Sequence, residues 1–457
     1  MKSFVLPLAA WFSCATALES AAIDYISPRG KIAIDDNKGW ESLSQNVLSK
    51  PYEPKRFPNG IINLGLAENW LIQDELAAYL KDNFTIDPLY HLTYGQGAAA
   101  SPKLREALAT YFNEYFNPVY PVNKTEIIVA SGVTSLIDSI AWNTCSDNEG
   151  IIVPQPLYNG FPTDIHLRGH AKLLKASFVR EGHEYSLDDV FDPAKIKDSL
   201  QRAWTDYKNQ NITMRGVIIA NPHNPLGRCY SKDALEAIAS FCGEHNIHFI
   251  SDEIYANSVF ENKNATNATP FTSVLSLNVT DIIDPDLVHV MYGMSKDFGA
   301  SGLRLGALHS RNEQMIKAAF GVNLFSWPSY LAQDMWARLL EDKTATTDFL
   351  KKNSDRLATS YEYVTQWLDS LKIEYYHGGN AGLFIWVRIL REGSTVTPEQ
   401  LIGECRKRGV NIGDGQNFLP EGSTGWFRIT FSYPRSMLEL GLWRLKETLT
   451  ELKVVSV

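Results

Sequence analysis

The chain has 457 residues, 44% of them hydrophobic and 21% charged. This ordinary globular composition excludes wholesale disorder, collagen and coiled coil, and the length allows two to three domains, or one large domain with a smaller partner. A net charge of −9 argues against nucleic acid as the main partner but leaves room for a locally basic pocket that takes an anion.

The first residues differ from the rest. Lys2 precedes an apolar run over 4–17, interrupted by Pro7 and ending in Ala15-Thr16-Ala17. This reads as a secretory signal peptide over residues 1–17, too short for a membrane span. The alternative is an apolar N-terminal helix on a cytoplasmic protein. Six N-x-T sequons, at Asn83, Asn123, Asn211, Asn264, Asn267 and Asn278, point toward secretion. No other segment is long and apolar enough to span a bilayer. The five cysteines (Cys14, Cys145, Cys229, Cys242 and Cys405) form no CxxC pair and read as small buried hydrophobes. Residues 18–90 read as an N-terminal arm, irregular and rich in Pro and Asn over 21–90.

A large domain is expected over 91–330. Ser101-Pro102 opens a helix, with Ser as N-cap and Pro at the first helical position. Short apolar runs follow at 126–130, 150–153, 171–174, 216–220, 247–251, 287–292 and 305–309. Such runs suit strands buried on both faces. Amphipathic stretches between them, as at 232–245, predict an α/β fold with a seven-stranded, mostly parallel sheet flanked by helices. After residue 330 the pattern changes. Phe349, Leu350, Leu357, Tyr361, Val364, Leu368 and Leu371 lie at helical spacing, and strand-like runs follow at 383–387 and 426–431. This predicts a smaller α+β domain over 331–457.

Four stretches carry chemistry. Lys296 stands just past a buried strand in the small-residue loop Tyr292-Gly-Met-Ser295-Lys296-Asp-Phe-Gly299, with Arg304 eight residues on. A lysine at a strand's C-terminal end faces the crevice where α/β sheets bind ligands. Desolvation and a nearby arginine favour its free amine, a nucleophile toward an aldehyde. Arg304 can hold a phosphate by a two-point contact. The second stretch, Ala220-Asn-Pro-His-Asn224-Pro-Leu-Gly227, is a rigid turn that can aim the Asn224 amide. In the third, Asp252 ends a strand, and a buried carboxylate needs a partner such as a protonated pyridine nitrogen. Tyr255, three residues on, can reach a phenolic oxygen of the same ring. In the fourth, Ala130-Ser-Gly-Val133-Thr134-Ser135, a strand turns into a helix whose free N–H groups, with the Thr134 hydroxyl, suit a phosphate. Together they describe a phosphorylated pyridine aldehyde. His166 and His170, four residues apart, lack a third ligand, so no metal site is expected. Gly95-Gln-Gly97-Ala-Ala-Ala100 follows no strand and is not a dinucleotide fingerprint.

With these motifs in this order, the sequence resembles the fold-type I pyridoxal-phosphate enzymes of the class I/II aminotransferases, from about residue 25 to the C-terminus. It is most similar to the 1-aminocyclopropane-1-carboxylate synthase-like branch. Leu64-Gly-Leu-Ala-Glu68-Asn69, Asn380-Ala-Gly-Leu-Phe384 and Gly425-Trp-Phe-Arg428 carry that likeness. Leu92-Thr-Tyr94-Gly95 is similar to the form in fungal members, many of which serve secondary metabolism. The resemblance implies pyridoxal 5'-phosphate as cofactor. It implies that Lys296 binds the aldehyde and later shuttles the Cα proton, and that Asp252 keeps the ring nitrogen protonated. Tyr255 and Asn224 would contact the ring hydroxyl oxygen, and Tyr158 would stack on the ring. Val133, Thr134, Ser295 and Arg304 would surround the phosphate. Arg428 would clamp the substrate carboxylate, and Glu68 would sit near the substrate. Tyr94 would reach the neighbouring subunit's phosphate, which implies a homodimer.

The sequence departs from the family at Gly293, where a serine three residues before the lysine is usual, and at Leu157, where an aromatic is common. The expected function is aminotransferase-type chemistry at Cα of an α-amino acid. A carbon–sulfur lyase or an elimination/cyclisation enzyme is the alternative. A non-catalytic protein on this fold is a further one, which retention of both Lys296 and Asp252 disfavours.

Overall fold

The computed structural model describes residues 26–265, 268–422 and 424–455. The expected signal peptide, Cys14 and the sequon at Asn267 lie outside them. The chain divides into two units at Ser49/Lys50. In the first, Pro28–Leu43 is helical, with the Ser27 hydroxyl accepting from the Gly30 N–H at 3.2 Å. This corrects the reading of the arm from residue 21 to 90 as irregular. Ser27-Pro28 is the same start signal as Ser101-Pro102, and Gln73–Asn83 forms another helix in that range.

In the second unit, seven strands form one sheet: β1 (Ile127–Ala130), β2 (Glu149–Pro154), β3 (Lys172–Ala176), β4 (Thr213–Ala220), β5 (His248–Asp252), β6 (Val288–Gly293) and β7 (Gly306–Ser310). Their order is β1-β7-β6-β5-β4-β2-β3, with β7 antiparallel to both neighbours and all other pairings parallel. All seven expected strands are present. Their side chains alternate between two apolar layers. Val217, Ile219 and Phe249 pack with Leu235 and Ile238 of the helix Lys232–His245. Ile218, Ile250 and Ile151 pack with Leu136 and Ile140 of the helix Val133–Thr144. Burial on both faces is why these strands are continuous apolar runs.

Because β7 alone is reversed, the chain leaves β1, β2, β4, β5 and β6 at the same edge of the sheet. Each of the four chemistry-bearing stretches follows one of those exits.

A second, antiparallel sheet has the order β10-β11-β9-β8, with β8 Glu374–Tyr375, β9 Phe384–Arg388, β10 Gly413–Asp414 and β11 Trp426–Thr430. The helix Lys343–Ser370 precedes it and buries Phe349, Leu350, Leu357, Tyr361, Val364 and Leu368, at the expected spacing. The segment Ile62–Asn63 pairs in parallel with Val410–Asn411, which brings Gly65–Asn69 beside β11. Cys145, Cys229, Cys242 and Cys405 are all buried and free.

Candidate active site

Lys296 follows β6, and its Nζ donates to the Ala67 carbonyl at 2.5 Å. Burial is the main cause that lowers its pKa from 10.5 to about 8. Arg428 and then Arg304 push the same way, while Glu68 and Asp252 oppose them. These four side chains therefore lie close enough to one amine to act on its charge.

Asp252 ends β5 and is 4% exposed. Its Oδ1 accepts the Ile254 N–H at 3.2 Å. Burial pushes it up to about 7, against that hydrogen bond and the attraction of Lys296. Tyr255 is buried with its ring edge-on to Phe384, and burial raises its hydroxyl pKa. Tyr158, after β2, is half-buried and lies within electrostatic reach of Tyr255, Asp252 and Arg428.

Arg428 is central to β11 and 4% exposed. Its Nη1 donates to Asn224 Oδ1 at 3.0 Å and its Nη2 to the Gly65 carbonyl at 2.8 Å. The guanidinium lies over the rings of Phe384 and Phe418, at 4.7 and 4.8 Å. Its buried Nε has no partner. Planar walls and fixed acceptors hold the fork in one orientation, the geometry that bidentate carboxylate binding requires.

The helix Val133–Thr144 starts after Gly132, with no side-chain cap on its first N–H groups. Gly132 has φ +87°, and a Cβ there would come within 2.5 Å of Arg304 Nη2. Arg304 is exposed, with Nη1 donating to the Ser301 carbonyl at 3.0 Å and Nη2 to the Ser131 carbonyl at 3.4 Å. Uncapped N–H groups beside a guanidinium have the chemistry to take a phosphate. Thr134 is exposed at this helix start, and Ser295 is buried beside Lys296. At Gly293 a Cβ would meet the Leu305 carbonyl oxygen at 2.6 Å, so this backbone has no room for the serine usual in the family.

Tyr94 stands apart from this cluster. It is 84% exposed, with its ring 6.1 Å from that of Trp327.

Residues 91–445 match the family model for aminotransferase class I and II. The chain belongs to that family. It is 32% identical to a probable aminotransferase of Aspergillus oryzae, aclI, over 85% of this chain and 90% of the relative. It is 30% identical to 1-aminocyclopropane-1-carboxylate synthase 7 of Arabidopsis thaliana, over 90% of each chain. Its fold is that of a Thermus thermophilus aspartate aminotransferase variant, with TM-score 0.67 and 19% identity over 93% of this chain and 99% of that one.

The cofactor of this aminotransferase family is pyridoxal phosphate, and the residues present fit it. The Gly132 turn and uncapped helix start match its phosphate. Asp252, a buried carboxyl with one backbone donor, matches a protonated ring nitrogen. Lys296 supplies an amine with a depressed pKa.

Several residues near this site escaped the sequence motifs. The Ser301 hydroxyl donates to Glu68 Oε1 at 3.1 Å, which ties the Gly65–Asn69 segment to the Arg304 loop. Its position inside the glycine-rich loop was the available signal. Asp164 is buried with an unpartnered Oδ2, and its pKa is raised by burial and by Asp252. Phe418 ends the short helix Gly415–Phe418 just before β11 and reaches Arg428 with no sequence signal.

Proposed function

We propose that the protein is an aminotransferase-type enzyme acting at Cα of an α-amino acid, in a fungal secondary-metabolite route. The observation that carries the reading is that the buried side chains of Asp252 and Arg428 lie close enough to Lys296 to act on the charge of its amine. Bound there, pyridoxal phosphate supplies an aldehyde and an electron-withdrawing protonated ring. Val133, Thr134 and Ser295, with Arg304, would hold the phosphate end. Asn224 and Tyr255 would contact the ring oxygen, Tyr158 would stack on the ring, and Asp252 would keep its nitrogen charged.

Arg428 takes the substrate carboxylate and so orients the Cα–H bond toward Lys296. Lys296 Nζ, a free amine in a useful fraction near neutral pH, removes the Cα proton. Glu68, which acts on the charge of that amine, would sit near the substrate. Return of the proton away from Cα gives transamination. Loss of a side-chain substituent gives elimination or ring closure, a second reading that the likeness to the Arabidopsis synthase supports.

A homodimer belongs to the same proposal. Leu89, Leu92, Tyr94, Leu324 and Phe325 are all exposed, and Tyr94 leans toward Trp327. Such an apolar surface suits a second subunit, with Tyr94 reaching its neighbour's phosphate. Among the described residues no helix is long and apolar enough to cross a membrane. Secretion is proposed from the N-terminal sequence alone.

The test is a visible spectrum of the purified protein with single amino acids and no keto-acid acceptor. A band that bleaches to a stable amine form of the cofactor supports transamination. Recovery of the band with release of ammonia or a cyclised product supports the second reading. Absence of any band after adding pyridoxal phosphate would overturn both.

A further inference from the structure

Asp297 follows Lys296 and is fully buried, outside the constellation described above. Its carboxyl group accepts three hydrogen bonds. The Ser258 hydroxyl donates to Oδ1 at 2.6 Å. The Asn257 backbone N–H and the Tyr292 hydroxyl donate to Oδ2 at 2.9 and 2.8 Å. Oδ2 meets only donors, the Asn257 N–H and the Tyr292 hydroxyl, and so accepts from both. Burial pushes the carboxyl pKa up to about 6, and the three hydrogen bonds oppose that rise.

The contacts continue beyond this first set. Because the Tyr292 hydroxyl spends its proton on Asp297, Tyr111 donates to Tyr292 across 2.9 Å. The Asn257 side-chain amide donates in turn to Tyr111 at 2.9 Å. Asn257 thus closes a circuit, its backbone at one end and its side chain at the other. Tyr111, Tyr292 and Asp297 are all shielded from water, where such bonds polarise one another and a missing partner is costly.

This circuit joins two loops of the pocket. One carries Lys296. The other is the turn after β5 that carries Tyr255, whose carbonyl accepts the Ser258 N–H at 2.9 Å. On the other flank, Asn69 Nδ2 donates to the Lys296 carbonyl at 3.0 Å and to Asn353 Oδ1 at 2.7 Å. The backbone of Lys296 is therefore held from both sides, which leaves its side chain as the mobile part.

We propose that Asp297 is a positioning residue for the reaction: it fixes the Lys296 loop against the turn that carries Tyr255 and so sets where Lys296 Nζ can reach. This inference rests on the proposed role of Lys296. A displacement of the amine by a fraction of an ångström to 1 Å costs turnover on the order of 10- to 100-fold.

The test compares the full-length protein with Asp297→Asn, Ser258→Ala, the double variant and Lys296→Ala. Each is saturated with pyridoxal phosphate and assayed with the best amino acid from the spectral panel. Asp297→Asn keeps the shape and can turn its amide toward the Ser258 hydroxyl, which rotates to accept. The expected result is an unchanged cofactor absorbance, KM within about twofold, and kcat lower by roughly 10- to 100-fold. Ser258→Ala loses less, and the double variant loses less than the product of the single losses, because both act through one contact.

A second readout needs no turnover: the rate at which an amine-reactive reagent labels Lys296 in the cofactor-stripped chain should change several-fold in Asp297→Asn. Wild-type kcat together with wild-type labelling would overturn the proposal. So would a loss confined to melting temperature or cofactor occupancy, with kcat restored at saturation. If Asp297→Asn does not fold, Ser258→Ala carries the same comparison. Turnover retained by Lys296→Ala would instead remove the reading of Lys296 on which the proposal stands.

Discussion

Replacing Arg428 by glutamine tests the electrostatics of the pocket at its most informative point. The pKa of Lys296 falls from 10.5 to about 8, through burial first and Arg428 second. That drop corresponds to roughly 3 kcal/mol against charging the amine. At pH 7.4 it leaves about one lysine in five unprotonated, against about one in a thousand for an unperturbed lysine. Glutamine keeps a hydrogen-bonding group near Asn224 but removes the positive charge, so the Lys296 pKa rises while staying below 10.5. Glu68→Gln removes a carboxylate that raises the pKa, so it moves the value the other way. The assay is labelling of Lys296 by an amine-reactive reagent in the cofactor-stripped chain, followed against pH by mass spectrometry of its peptide. The wild type should reach half its maximal rate near pH 8. Each unit of upward shift lowers the rate at pH 7.4 about tenfold. A wild-type midpoint near 10.5, or an Arg428→Gln midpoint at or below the wild-type one, would refute the reasoning.

Asp252 gives a prediction on stability. Its folded pKa is raised from 3.8 to about 7, so the folded chain holds this proton more tightly than the unfolded chain. Its contribution to stability is fully present below pH 3.8 and is lost as pH rises to about 7. Asp252→Asn should therefore melt higher than wild type in the cofactor-stripped state at pH 8 and equally at pH 4; equal melting at both would contradict this. Gly293→Ser restores the family's usual residue, yet its Cβ would crowd the Leu305 carbonyl, and a loss of about 1–3 kcal/mol is expected in denaturant unfolding. Tyr94→Ala should weaken cofactor retention after dilution without changing the absorbance at saturating pyridoxal phosphate. Unchanged retention would leave Tyr94 without its proposed role.

The central sheet was legible because its strands are buried on both faces, which makes each a short, continuous apolar run. Lys296, Asp252 and Asn224 were legible because each follows a strand whose exit lies at one edge. The helix Pro28–Leu43 was obscured by the composition around it, although Ser27-Pro28 announced its start. Ser301, Asp164 and Phe418 were hidden for a different reason. The contacts of Ser301 with Glu68 and of Phe418 with Arg428, and the electrostatic effect of Asp252 on Asp164, arise in space, and none lies at a spacing that periodicity can reveal. Asp297 was in plain view as the charge beside the lysine, but only the fold brings Ser258, Asn257 and Tyr292 to it.

Lys296 is the residue proposed to carry the cofactor. Reducing the pyridoxal-phosphate-loaded protein with borohydride, digesting it and mapping the added mass tests this directly. The mass of one reduced cofactor should appear on the peptide containing Lys296 and vanish in Lys296→Ala. Modification of another lysine, or of none in a protein that absorbs in the visible, would contradict the account.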